Sequence, residues 1–133
     1  MLKKILSVTA GLTMLGMLLM TGCSKTTTVV IEPPIATDTA TMSFSADIQP
    51  IFDASCALSG CHVAGGHEPN LTKGIAYQAL MDGGYVVASD PANSQLMMWL
   101  TGKKSPVMPL GSGPDPAINS KIYAWINQGA KNN

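Results

Sequence analysis

Two Asp-Pro pairs, Asp90-Pro91 and Asp115-Pro116, constrain the fold of this chain more than any other feature. The aspartate carboxylate accepts from the free N–H groups of a first helical turn, and proline lacks an N–H that would have no partner there. Each pair therefore opens a helix. The first runs to near Gly102; the second runs to Gly129, with Ile118, Ile122, Trp125 and Ile126 as its buried stripe. Upstream, SFSADIQPIFDASC offers Ser45 as a cap, then Ile48, Ile51, Phe52 and Cys56 at spacings of three or four. Pro50 is tolerable there because it falls in the first turn. A further short helix is expected from Lys73 to Met81, between Thr72 as cap and Gly83-Gly84 as stop. The fold class is mainly α: four helices, no internal repeat and no convincing sheet. Tyr85-Val86-Val87 is the one strand-like stretch, too short to organise a fold.

The helices are short, and the loops between them are rich in glycine and proline. Phe44, Phe52, Trp99, Trp125 and three tyrosines give roughly 90 residues a thin core, and domains of that size often need a staple, a metal or a cofactor. Residues 56 to 62, CALSGCH, are the candidate for supplying one. What two cysteines and a histidine do depends first on the compartment, because thiols persist in the cytosol and are consumed outside it.

The N-terminus, MLKKILSVTAGLTMLGMLLMTGC, has two lysines and then an apolar run from Ile5 to Met20, the charge pattern of a secretory signal. The run of 16 residues falls short of the roughly 20 that span a bilayer as a helix. Met20-Thr21-Gly22-Cys23 resembles the lipobox of bacterial lipoproteins, although Met20 replaces the commonest residue, leucine. The resemblance implies a signal peptide over 1–22 and acylation of Cys23. The protein would then be held on a bacterial membrane by its lipid anchor, facing the periplasm or the cell exterior. An uncleaved anchor or plain secretion are the alternatives.

With Cys23 taken by the lipid, Cys56 and Cys61 remain as a pair in an oxidising compartment. Residues 23–43 read as the lipidated cysteine and an extended, threonine-rich tether containing Pro33-Pro34, and residues 44–133 as the domain. Removal of Lys3 and Lys4 with the leader leaves six lysines against eight carboxylates, a net charge of about −2. With no arginine in the chain, a nucleic-acid surface is not expected.

On its residues alone, CALSGCH suits a covalent haem, a disulfide or another metal. The usual haem signature is C-x-x-C-H; here the spacing is C-x4-C-H, with the Cys61-His62 adjacency intact. Small inserted residues, Ala57, Ser59 and Gly60, can bulge outward. His67, the other histidine, reads as an exposed loop residue. It could instead complete a zinc-like set with Cys56, Cys61 and His62.

FSADIQPIFDASC before the motif, DPANSQL in the middle, SPVMPLGSGP after it and INSKIYAWINQGAKNN at the end occur in the order found in class I c-type cytochromes. Residues 44–133 resemble such a monohaem domain. The resemblance implies a small helical domain around haem c, with Cys56 and Cys61 as covalent attachment points and His62 as proximal iron ligand. Met108, 46 residues after His62, would be the distal one. Phe52 and Trp125 would sit where the first and last helices cross.

Among the other methionines, Met97 and Met98 lie in the third expected helix and read as core filler. Met81 ends a helix and Met42 lies in the tether. Lys103-Lys104 read as a solvated turn, with contact to a redox partner or to haem propionates as the alternative. Asp47, Asp53, Asp82, Asp90 and Asp115 occur at caps or on helix surfaces, and no grouping suggests an enzyme site. The implied function is one-electron transfer between redox partner proteins, with no substrate transformed. The rival is a disulfide-stapled structural or binding lipoprotein without haem. A third reading keeps the haem as a sensor or peroxidase.

Overall fold

The structure is a computed structural model, in which residues 40–133 are described. The expected leader, the acylation site Cys23 and most of the tether lie outside the described residues. Among the described residues all regular structure is helical and no strand forms. No helix there is long and apolar enough to cross a membrane.

Coiling begins with one π-helical turn, Phe44–Ile48, which runs into α1, Gln49–Ser55. The cap is Ser43 rather than Ser45. Its extended backbone stops the helix, its hydroxyl accepts from Ala46 N–H, and its own N–H donates to Asp47 Oδ2 at 2.8 Å. This reciprocal arrangement satisfies donors at both ends of the first turn. Pro50 stands at the start of α1, as expected, but the chain is already coiled ahead of it. In a regular α-helix its ring would press on the carbonyl four residues back. Here Ile48 and Gln49 donate to carbonyls five residues back, those of Ser43 and Phe44, so the turn widens ahead of the proline.

The second helix, α2, spans Ala76–Asp82, after a turn in which Thr72 carbonyl accepts from both Ile75 and Ala76. Gly83 ends it, and a Cβ there would stand 2.7 Å from Ala79 carbonyl oxygen. The helix expected from Asp90 to Gly102 is two pieces: a 3-10 turn, Pro91–Asn93, and α3, Gln95–Leu100. The break is at Ser94, which is wholly buried. Its hydroxyl accepts from Val87 N–H at 2.9 Å and donates to Asp90 carbonyl at 2.9 Å. Those bonds bind the helix start to the preceding loop and hold Ser94 extended. The last helix, α4, spans Pro116–Asn127, with Asp115 accepting from Ala117 and Ile118 N–H as the sequence predicts.

One core joins these pieces. Ile48, Phe52, Leu80, Leu100, Ile122, Trp125 and Ile126 are almost fully buried. Phe44 is the aromatic hub, with ring centres at 5.3 Å from both Tyr77 and Trp125 and 6.2 Å from Phe52. The packing role expected of Phe52 and Trp125 is observed, and Phe44 bridges them. Met42 does not belong to a free tether. It is buried in the core, its N–H donates to Gln128 Oε1 at 2.7 Å, and Gln128 Nε2 donates to Ala40 carbonyl. An apolar side chain this close to the core gains more by burial than by exposure on an extended segment.

Candidate cofactor site

Cys56 and Ala57 are the last residues held by α1, their N–H groups donating to Phe52 carbonyl at 2.9 and 2.7 Å. The chain then turns outward through Ala57 to Gly60 and returns, with His62 N–H donating to Cys56 carbonyl at 3.1 Å. The four residues between the cysteines thus form a closed bulge. Gly60, at φ 79, makes a turn that L-residues rarely adopt, and Leu58 is left exposed at its tip. The extra length of C-x4-C-H is absorbed here, and Cys61 and His62 stay next to the end of α1.

The loop after His62 folds back over it. His67 N–H donates to Cys61 carbonyl at 2.8 Å, and Leu71 N–H donates to His62 carbonyl at 2.8 Å. His62 Nδ1 lies 3.2 Å from His67 carbonyl oxygen and 3.1 Å from Pro69 carbonyl oxygen. Carbonyl oxygens only accept, so Nδ1 carries a proton, and in the neutral imidazole the lone pair is on Nε2. Metal-binding histidines are commonly oriented in this way. Gly66 permits the fold-back, because a Cβ there would overlap Cys61 carbonyl.

Cys56 and Cys61 are both free thiols. Cys56 is half-buried against the core and Cys61 is exposed. Burial, reinforced by the charge of the neighbouring Cys61 thiolate, pushes the Cys56 thiol up to about 11. Free thiols are the state that either thioether attachment or a disulfide would consume.

Met108 comes from the loop between α3 and α4. It packs half-buried against the same core as Cys56, and its N–H donates to Trp99 carbonyl at 3.2 Å. Gly113 closes this loop: it donates to Pro109 carbonyl at 2.7 Å, and a Cβ there would overlap Met108 carbonyl. Sequence reading does not single out Gly66 and Gly113 as supports. The signal available was a glycine four or five residues after each expected iron ligand.

The remaining candidates have local roles. Met97 is buried, as filler would be, and Met81 packs at the core's edge. His67 is exposed and contributes its backbone to His62. Among the described residues, no three His, Cys, Asp or Glu side chains converge as a metal site, so Cys56, Cys61, His62 and His67 do not form the zinc-like set. Asp47, Asp90 and Asp115 serve helix caps, while Asp53 and Asp82 accept from glutamines one turn earlier. Lys103 is exposed, but Lys104 is not a solvated turn residue: its Nζ donates to Gln95 Oε1 at 2.9 Å.

His62, Cys56 and Cys61 are thus gathered on one loop at the end of α1, and Met108 is supplied by a second loop on the same core. The donor set suits haem c: two thiols, an imidazole with Nε2 as its lone-pair nitrogen, and a thioether. No protein-family model, curated protein or solved structure matches this chain.

Proposed function

We propose that residues 44–133 form a monohaem c-type cytochrome domain that carries single electrons between redox partner proteins, held on a bacterial membrane through acylated Cys23. In this reading Cys56 and Cys61 hold the cofactor covalently, and His62 Nε2 and Met108 Sδ are its proximal and distal iron ligands. When bound, haem c would supply an Fe(III)/Fe(II) couple, and a thioether donor together with histidine would raise its reduction potential. The chain's own residues hold His62 and Met108 through the backbone hydrogen bonds of their loops. No substrate is transformed, so the protein is an electron carrier and not an enzyme.

The observation that carries the reading is the imidazole of His62, held at Nδ1 by Pro69 and His67 carbonyls directly beside Cys61. That bond fixes the ring so that Nε2 is the nitrogen left for a ligand.

The test is an absorption spectrum and a haem stain after denaturing electrophoresis, on protein expressed with a cytochrome c maturation system. Stain that stays with wild type and is lost in Cys61→Ala is the expected result. A colourless chain, lighter by two hydrogens, would replace this reading with the disulfide-stapled binding lipoprotein. A near-infrared charge-transfer band in the oxidised form reports methionine ligation and separates an electron carrier from a haem sensor or peroxidase.

A further inference from the structure

Lys104 is tied to α3 through both its backbone and its side chain. Its N–H donates to Met98 carbonyl at 2.9 Å, and its Nζ donates to Gln95 Oε1 at 2.9 Å while standing 4.6 Å from the centre of the Trp99 ring. Gln95 and Trp99 are four residues apart, so they share one face of the helix and present an acceptor and an aromatic surface to a single cation. Trp99 also packs against Tyr85, with ring centres 6.3 Å apart. The same tryptophan holds the loop through its backbone. Its carbonyl accepts from Gly102 N–H and from Met108 N–H, both at 3.2 Å. The segment from Gly102 to Met108 is therefore closed on Trp99 at both ends and secured by Lys104 within it.

We infer that Lys104 is a positioning residue for Met108: its ammonium, clasped by Trp99 and Gln95, holds the loop that presents the Met108 thioether. The inference rests on the reading of Met108 as iron ligand. The physical need is plain, because the Met108 N–H bond to Trp99 is a single backbone bond on a loop containing Pro106, Pro109, Pro114 and three glycines. A thioether is a weak donor to iron, so a loop free to swing away would lose it to competing ligands. A cation over an aromatic ring with a charge-assisted hydrogen bond adds a second attachment four residues away.

The test compares Lys104→Met, which keeps the stem and loses the charge and donor, with Lys104→Arg, which keeps both, and with Gln95→Ala. Amide exchange of Met108 is read on the full chain as purified, whether coloured or colourless. Lys104→Met should speed it by about tenfold and Gln95→Ala by about threefold, while the core amide of Ile126 is unchanged and Lys104→Arg stays near wild type. In the haem-loaded oxidised protein, Lys104→Met should weaken the near-infrared band and bind added imidazole about tenfold more tightly, with Lys104→Arg restoring both.

Unchanged Met108 exchange in Lys104→Met would overturn the clasp. Faster exchange with an unaltered band and imidazole affinity would overturn the positioning role. Equal acceleration at Met108 and Ile126 would show a general loss of stability and overturn it too. A wild type with no haem, or with haem and no near-infrared band, would defeat the ligand reading itself. That failure is seen in wild type alone, before any Lys104 variant is compared.

Discussion

The Nδ1 atom of His62 lies 3.1 Å from the carbonyl oxygen of Pro69, seven residues further along the chain. That contact closes the segment from Cys61 to Leu71 around the imidazole. It depends on Gly66, where any side chain would meet Cys61 carbonyl.

Gly66→Ala should therefore loosen the His62 loop. The expected loss is about 1–3 kcal/mol of stability, read by thermal or urea unfolding, together with a lower yield of stained protein under maturation conditions. His62→Ala offers the contrast: it removes the imidazole without forcing the loop open. A Gly66→Ala protein as stable and as well stained as wild type would show that the fold-back does not matter.

Gly113→Ala is the matching experiment on the other loop, since a Cβ there overlaps Met108 carbonyl. Covalent haem should be retained, because Cys56 and Cys61 are untouched, while the near-infrared band of the oxidised protein weakens. The stain and the band, measured on one sample, separate attachment from distal ligation.

The haem-free reduced chain should be sensitive to alkali. Cys56 has its thiol raised from 9.0 to about 11 on folding, so the folded state holds this proton more tightly than the unfolded state. The stabilisation is fully present below pH 9 and is lost as pH rises through about 11. Urea unfolding at several pH values should show the decline in wild type and a flatter profile in Cys56→Ala. A thiol-alkylating reagent at pH 8 should label exposed Cys61 before Cys56. Both effects should vanish once the sulfurs are in thioethers or a disulfide.

Phe44→Ala should cost about 3–5 kcal/mol, the range for removing a buried aromatic side chain. Phe44 packs against the rings of Phe52, Tyr77 and Trp125, so its loss opens a cavity between α1, α2 and α4. Phe44→Leu, which refills part of the volume, should cost less. Equilibrium unfolding of the two variants checks the order.

Local chemistry made much of the fold legible. Asp90 and Asp115 cap helices whose first residues are prolines, and Gly83 and Gly129 stop helices where expected, because caps and stops act over three or four residues. The helix expected from Asp90 to Gly102 was less legible. Its interruption at Ser94 needs Val87, seven residues away, as a hydrogen-bond partner. Ser45 was the expected cap of the first helix, and Ser43 takes that place. Ser43 prevails because it lets Phe44 enter the helix and turn into a core built by Tyr77 and Trp125.

The candidate site divides the same way. By itself the sequence named Cys56, Cys61 and His62 as candidate donors, with Met108 added by the family resemblance, and it determined most of the short helices around them, since caps, stops and apolar spacing act over a few residues. Only the tertiary structure decided that Pro69 and His67 carbonyls select the tautomer of His62 and that Met42 belongs to the core. It alone also decided that Lys104 serves Trp99 and Gln95 rather than solvent. Each of these contacts depends on where a loop returns, and a loop's return is set by the packing of helices that are distant in sequence.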